Sequence, residues 1–63
     1  MLIVTMFDGT EREVERYSYT VEEWYSGEWH VIGTFPGTKD GYKQAERLMN
    51  DTENYYVRIQ QLY

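Results

Sequence analysis

The stretch that decides the fold is VERYSYTVEEWYSGEWHVIGTF, which runs from Val14 to Phe35. Both of its halves are rich in β-branched and aromatic residues, a composition typical of strands. Ser26-Gly27 separates the halves and predicts a two-residue hairpin turn. The facing pairs that such a turn predicts are Trp24 with Trp29, Glu23 with His30, and Val21 with Ile32.

The composition is that of one small domain covering residues 1–63. The chain has no cysteine, so neither disulfides nor thiolate metal sites can stabilise it. Aromatic residues make up 17% of the sequence, with seven Tyr, two Trp and two Phe. Because each ring buries roughly 150–250 Å², we expect stability to come from aromatic packing or from a partner chain.

The chain is acidic, with a net charge of −5 and a sequence pI near 4.6. Binding to phosphate backbones relies on a basic surface, so this charge disfavours a nucleic-acid-binding function. An acidic surface keeps a small protein soluble, and it also complements a basic groove on a protein partner.

The amino-terminal apolar run, Leu2–Phe7, is too short for a signal-peptide core with its flanks or for a membrane span. Together with the lack of cysteine, it predicts a cytoplasmic protein that does not enter membranes. The run itself reads as a strand in the sheet interior. Asp8-Gly9 then predicts a hairpin turn, and Glu11–Arg16 reads as the front half of one long strand that continues through Tyr17–Val21. The predicted pairs are Ile3 with Val14, Val4 with Glu13, and Leu2 with Glu15.

This register leaves apolar side chains on both faces of the sheet, whereas a one-sided antiparallel sheet should alternate cleanly. One explanation is a β-bulge between Ser18 and Glu23, since one extra residue exchanges the two faces. The other is that the helix covers one face and something outside the chain covers the second.

A helix is predicted after Pro36-Gly37, capped by Thr38 or Asp40 and ending at Asn50-Asp51. A last strand is predicted over Tyr55–Leu62. A strand–helix–strand connection is nearly always a parallel crossover. The predicted fold class is therefore α+β, with the element order β-β-β-α-β, one helix on one face, and a four-stranded mixed sheet of order 4-1-2-3. The apolar helix positions are Tyr42, Ala45, Leu48 and Met49, and the cationic solvent side is Lys39, Lys43 and Arg47.

The part of the chain from Trp29 to Ile59, through HVIGTF at 30–35 and QAERLM at 44–49, resembles the strand–helix–strand half of ferredoxin-like and sporulation-repeat domains. The resemblance covers about half of the chain and includes no functional motif. It implies a shared architecture only.

The sequence contains few residues that could form a catalytic site. His30 is the only histidine, and Glu23, its cross-strand neighbour, reads as a charge pair rather than a dyad. The segment 33–39 resembles a phosphate-binding loop but lacks its spacing. No His and carboxylate residues recur at metal-ligand spacing. We therefore expect a non-enzymatic protein without cofactor, catalytic residues or metal.

The leading hypothesis is a protein-binding module, a stoichiometric inhibitor or adaptor whose partner has a basic surface. In size and acidity the chain looks like small accessory proteins of phages and mobile elements, including anti-CRISPR and other anti-defence inhibitors, some of which imitate nucleic acid. The aromatic anchors would be Trp24, Tyr25 and Trp29. The acidic surface would consist of Glu11, Glu13, Glu15, Glu22, Glu23 and Glu28.

Two alternatives stay open. A self-assembling homodimer would hide the uncovered sheet face or pair edge strands. A small single-stranded nucleic-acid-binding protein would stack bases on sheet aromatics. In the nucleic-acid-binding alternative, the residues available for contact with bases and phosphates are Tyr17, Tyr19, Tyr55 and Arg58, with the cationic stripe Lys39, Lys43 and Arg47.

Overall fold

The computed structural model describes residues 1–63, and its elements confirm the α+β class with a single helix. The strands are five rather than four, and they form one two-stranded and one three-stranded sheet. The elements are β1 (Leu2–Thr5), β2 (Glu11–Val14), β3 (Tyr19–Tyr25), β4 (Glu28–Phe35), α1 (Lys39–Asp51) and β5 (Val57–Gln61).

The central sheet has the order β4-β3-β5, so the predicted single sheet of order 4-1-2-3 is wrong. The long second strand of that prediction breaks at Tyr17, whose φ of 69° lies in the left-handed region. β2 and β3 are therefore separate strands, and one edge of β3 is left free. The last strand, β5, pairs antiparallel with that edge instead of docking beside β1. β4 and β5 consequently run parallel, with β3 between them and α1 connecting them.

The first hairpin has a three-residue loop, Phe7-Asp8-Gly9, instead of the predicted two-residue turn. The Met6 N–H donates to the Thr10 carbonyl oxygen at 2.7 Å, and Gly9 (φ 89°) takes the left-handed position typical of such loops. The register consequently shifts by one residue, so that Leu2 faces Val14. Because a one-residue shift exchanges the faces, Val4 is 8% exposed whereas Ile3 is 63% exposed.

The second hairpin confirms the predicted turn and most of the predicted register. Ser26 and Gly27 both have positive φ, 52° and 83°, as a type I′ turn requires. Trp24 faces Trp29, and Glu23 faces His30. The register then shifts between Val21 and Glu22, inside the range predicted for a bulge, so Val21 faces Gly33 and not Ile32.

The helix confirms its predicted cap and part of its predicted apolar face, since Tyr42 is exposed. The Thr38 Oγ1 accepts a hydrogen bond from the Gly41 N–H at 3.0 Å. Gly41 and Ala45 are buried, and the Leu48 side chain packs over Gly33. Gly41 is needed here because a Cβ at this position would overlap the Pro36 carbonyl oxygen. α1 is too short and too polar to cross a lipid bilayer.

The β1–β2 hairpin covers part of the sheet face that lies away from α1. The Arg12 Nη1 donates to the Thr34 Oγ1 at 3.0 Å, and Met6 forms a parallel bridge with Val31. Thr20, which projects on this same face, is fully buried. The chain itself therefore supplies cover for the second face, although the end of the sheet near the β3–β4 turn stays open.

Candidate functional site

Aromatic side chains cluster around the β3–β4 turn, and we call this cluster the aromatic end. Trp24 is 42% exposed and Tyr25 is 59% exposed, although both lie in a regular strand. Contiguous exposed apolar patches on a monomer surface mark interaction sites more often than single exposed side chains do. The members of the aromatic end are Phe7, Trp24, Tyr25, Trp29, His30 and Tyr56.

On the sheet face away from α1, two tryptophans and an ion pair form one stack. The rings of Trp24 and Trp29 meet edge to face with centroids 5.4 Å apart. The Arg58 Cζ lies 4.0 Å from the centroid of Trp29. The Arg58 Nε also donates to the Glu22 Oε1 at 2.7 Å, the one salt bridge of the protein. The guanidinium therefore fixes the Trp29 ring from one side, while Trp24 stays accessible.

On the face that carries α1, Tyr25 lies with His30 and Phe7. The His30 ring is in edge contact with Phe7 at 5.5 Å and with Tyr25 at 6.2 Å. The His30 Nε2 lies 3.1 Å from the Tyr25 carbonyl oxygen. A carbonyl oxygen only accepts hydrogen bonds, so this nitrogen carries the proton and donates. The histidine therefore acts as a spacer between two rings, and it forms no salt bridge with Glu23.

Asn54 holds the strand ends together beneath the aromatic end. Its Nδ2 donates to the Trp24 carbonyl oxygen at 2.8 Å, and its Oδ1 accepts from the Tyr56 N–H at 2.9 Å. The Trp24 N–H in turn donates to the Tyr56 carbonyl oxygen at 2.9 Å. The sequence analysis did not identify Asn54 as a site residue. The available signal was an Asn two residues before Tyr56, the spacing of an Asx turn.

The structure brings the predicted aromatic anchors to one end but places them on two faces. Trp24 and Trp29 lie on the face away from α1, and Tyr25 lies on the opposite face because side chains alternate along β3. A partner that contacts all three anchors must therefore enclose the tip of the hairpin. A partner that lies on one face contacts either the tryptophans or Tyr25.

The predicted acidic residues do not form one surface with these anchors. Glu11 and Glu13 are exposed on the outward face of β2, together with Ile3. Glu22 is engaged by Arg58. The two carboxylates that belong to the aromatic-end hairpin without a salt bridge are Glu23 and Glu28, and of these Glu28 is exposed. Glu15 is exposed beyond the end of β2.

The remaining polar groups do not converge on a reaction centre. No group of three or more His, Asp and Glu side chains is placed to hold a metal ion. The pKa of Asp8 is lowered, mainly because its carboxylate accepts hydrogen bonds from the Thr10 hydroxyl at 2.6 Å and from the Thr10 N–H at 3.0 Å. This carboxylate organises the first hairpin loop at the rim of a cleft of about 240 Å³ that lies against Val31 and Ile32.

The side chains suggested for base stacking are dispersed over the molecule. Tyr19 is half-buried against Tyr42, with ring centroids 5.2 Å apart. Arg58 is occupied by Glu22, and Tyr17 lies near the far end of β5 beside Tyr63. The cationic residues of α1 lie on its exposed side. No continuous basic groove with stacked rings results from this placement.

No protein-family model, curated protein or solved structure matches this chain. None of these comparisons supports the resemblance to ferredoxin-like and sporulation-repeat domains. What the chain does has to be inferred from the geometry of the aromatic end and of the sheet edges.

Proposed function

We propose that this protein is a non-enzymatic protein-binding module and that the aromatic end is its contact surface. The observation that carries the proposal is the exposure of Trp24 and Tyr25 on a strand that hydrogen bonds and ring contacts hold in place. Trp and Tyr are the residues that dominate binding energy at protein interfaces. A small chain with exposed Trp and Tyr side chains loses the stabilisation that burying these side chains in its own core would provide.

The pinning of these rings favours binding further, because a preorganised surface loses little conformational entropy on association. Arg58 and Trp24 hold the Trp29 ring between them. Asn54 joins the β3 end to the segment before β5. The type I′ turn adds a short, tight connection at the tip. The aromatic end is therefore a rigid projection rather than a loose loop.

The chemistry of the partner follows from the charges around the rings. The chain carries −5, and Glu28 is exposed beside the turn while Arg58 is neutralised by Glu22. A partner with an apolar groove bordered by basic residues complements this surface. The role that fits a small rigid projection is a stoichiometric inhibitor or adaptor, of which anti-CRISPR and other anti-defence proteins are the type suggested by size and acidity.

The test is capture of partners from a lysate of the source organism by three immobilised proteins. The wild type and an Ile3→Ala variant should retain the same protein, whereas Trp24→Ala/Tyr25→Ala should lose it. Ile3 is the matched control, since it is an exposed apolar strand residue on the outward face of the first hairpin. Far-ultraviolet circular dichroism confirms that each variant is folded. Equal retention by all three proteins would refute the proposal.

A further inference from the structure

The outer edge of β5 is an unused row of main-chain hydrogen-bonding groups. Tyr56 and Leu62 direct main-chain groups toward β3 and the residues before it, through bonds with Trp24 and with Tyr17 and Ser18. Because successive residues of a strand direct these groups to opposite sides, Val57, Ile59 and Gln61 direct theirs away from β3. β3 is the only strand with which β5 pairs.

This edge lacks the features that normally prevent strands from pairing between molecules. It contains no proline, lysine or bulge, and its one charge, on Arg58, is held by Glu22 of the adjacent strand. The other edges differ from it. β2 carries Glu11 and Glu13 on its exposed side, and β4 is bridged by Met6 at Val31. β5 is thus the edge of the central sheet that has no bridge to a further strand.

We propose that the β5 edge pairs antiparallel with β5 of a second copy of this chain, with Ile59 on the two-fold axis. In this register the groups that face outward meet one another, and about six main-chain hydrogen bonds form. The result is a continuous six-stranded sheet with the order β4-β3-β5-β5-β3-β4. The cross-strand pairs are Ile59 with Ile59, Arg58 with Gln60, Val57 with Gln61, and Tyr55 with Tyr63.

The tyrosines that flank β5 select the second copy as the occupant of this edge. Tyr55 is 94% exposed and Tyr63 is 76% exposed, the two most exposed aromatic side chains of the chain. They lie just outside β5, at equal distances in sequence from Ile59, so the two-fold axis places the end of one copy that carries Tyr55 beside the end of the other copy that carries Tyr63. Aromatic cross-strand pairs stabilise antiparallel sheets. Within the chain Tyr55 contacts only Tyr56 by ring packing and Tyr63 only Tyr17, and the dimer adds cover to these exposed rings.

The charge of Arg58 and the position of Tyr55 favour this register over the two registers that are centred one residue away. A shift that centres the axis on Arg58 places two guanidinium groups directly opposite each other, which is destabilising. A shift that centres it on Gln60 leaves Tyr55 without a partner. In the proposed register Arg58 faces the neutral amide of Gln60. The exposed area of Tyr55 and Tyr63 offers roughly 250–430 Å² per chain, about a third to a half of the roughly 800 Å² that one partner contributes to a standard interface.

The first test uses the absence of native cysteine. In the proposed dimer an Ile59→Cys substitution places two thiols opposite each other across the axis, with Cα atoms about 5.5 Å apart, inside the range that a disulfide spans. Mild oxidation should cross-link this variant at least tenfold faster than a Ser26→Cys control at the exposed β3–β4 turn. Equal rates would overturn the proposal.

The second test changes the sign of the charge opposite Arg58. Gln60 is exposed, and its replacement does not remove a side-chain hydrogen bond. Because the axis repeats the pair, Gln60→Glu should tighten the dimer and Gln60→Lys should weaken it, each by roughly 2- to 30-fold in dissociation constant. Sedimentation equilibrium measures both constants. A wild-type chain that remains a 7.6 kDa monomer at millimolar concentration, or two variants that shift in the same direction, would overturn the proposal. Neither test depends on Trp24 or Tyr25, so the dimer and the protein-binding function fail independently.

Discussion

Replacing Asn54 tests how the aromatic end is held in place. The Asn54→Ala variant loses the bond to the Trp24 carbonyl oxygen and the bond from the Tyr56 N–H. Each such bond contributes about 0.5–1.5 kcal/mol net, and both are accessible to water, so we expect a loss of about 1–2 kcal/mol in the free energy of unfolding. For a domain of this size the loss corresponds to roughly 4–16 °C in Tm.

The assay is guanidinium-induced unfolding followed by tryptophan fluorescence at neutral pH. Asn54→Asp is the matched variant, because its carboxylate still accepts from Tyr56 but cannot donate to Trp24. It should also be destabilised at neutral pH, and its deficit should shrink below about pH 4, where the carboxyl gains a proton that it can donate. An Asn54→Ala variant as stable as the wild type would show that the two Asn54 hydrogen bonds do not hold the aromatic end in place. An Asn54→Asp deficit that does not change with pH would refute the donor assignment.

Three further predictions concern the fold. Gly41→Ala should lower the free energy of unfolding by about 1–2 kcal/mol, because overlap with the Pro36 carbonyl oxygen outweighs the gain of about 1 kcal/mol in helix propensity; a more stable variant in thermal unfolding would contradict this packing. Thr20→Val should raise that free energy by about 1 kcal/mol, because the buried Thr20 hydroxyl has no hydrogen-bond partner; the Thr20→Ser control, which keeps the hydroxyl, should not. Asp8 has a lowered pKa in the folded chain, so its contribution to stability is complete above the unfolded pKa near 3.8 and is lost as pH falls through the folded value. When the free energy of unfolding is measured at decreasing pH, the wild type should show this loss of stability and Asp8→Asn should not. Identical pH profiles for the two proteins would exclude a contribution from the Asp8 carboxylate.

The β3–β4 hairpin and the helix could be predicted because their signals are local. Ser26-Gly27 fixes a type I′ turn, and the turn fixes the pairs of Trp24 with Trp29 and of Glu23 with His30. The Thr38 cap and the apolar spacing of α1 were likewise sufficient to predict the helix. The bulge was predictable as a region, since it reconciles apolar residues on both faces, but the sequence does not mark the residue at which the register shifts.

The sheet order could not be predicted because it depends on a single backbone conformation. Tyrosine rarely adopts a positive φ, so nothing in the sequence indicates that Tyr17 turns the chain and separates β2 from β3. Asp8-Gly9 suggests a two-residue turn and a three-residue loop alike, and the one-residue difference decides whether Ile3 or Val4 is buried. Among the site residues, the pairing of Trp24 with Trp29 follows from the turn, whereas the division of the predicted anchors between two faces and the contacts of Asn54 required coordinates.

Site-specific photo-cross-linking tests most directly whether the aromatic end is the surface on which a protein partner binds. A benzophenone amino acid introduced in place of Tyr25 should give a discrete covalent adduct with another protein in a lysate of the source organism, and the same group in place of Ile3 should give none. Adducts with the same protein at both positions, or at Ile3 alone, would contradict the claim.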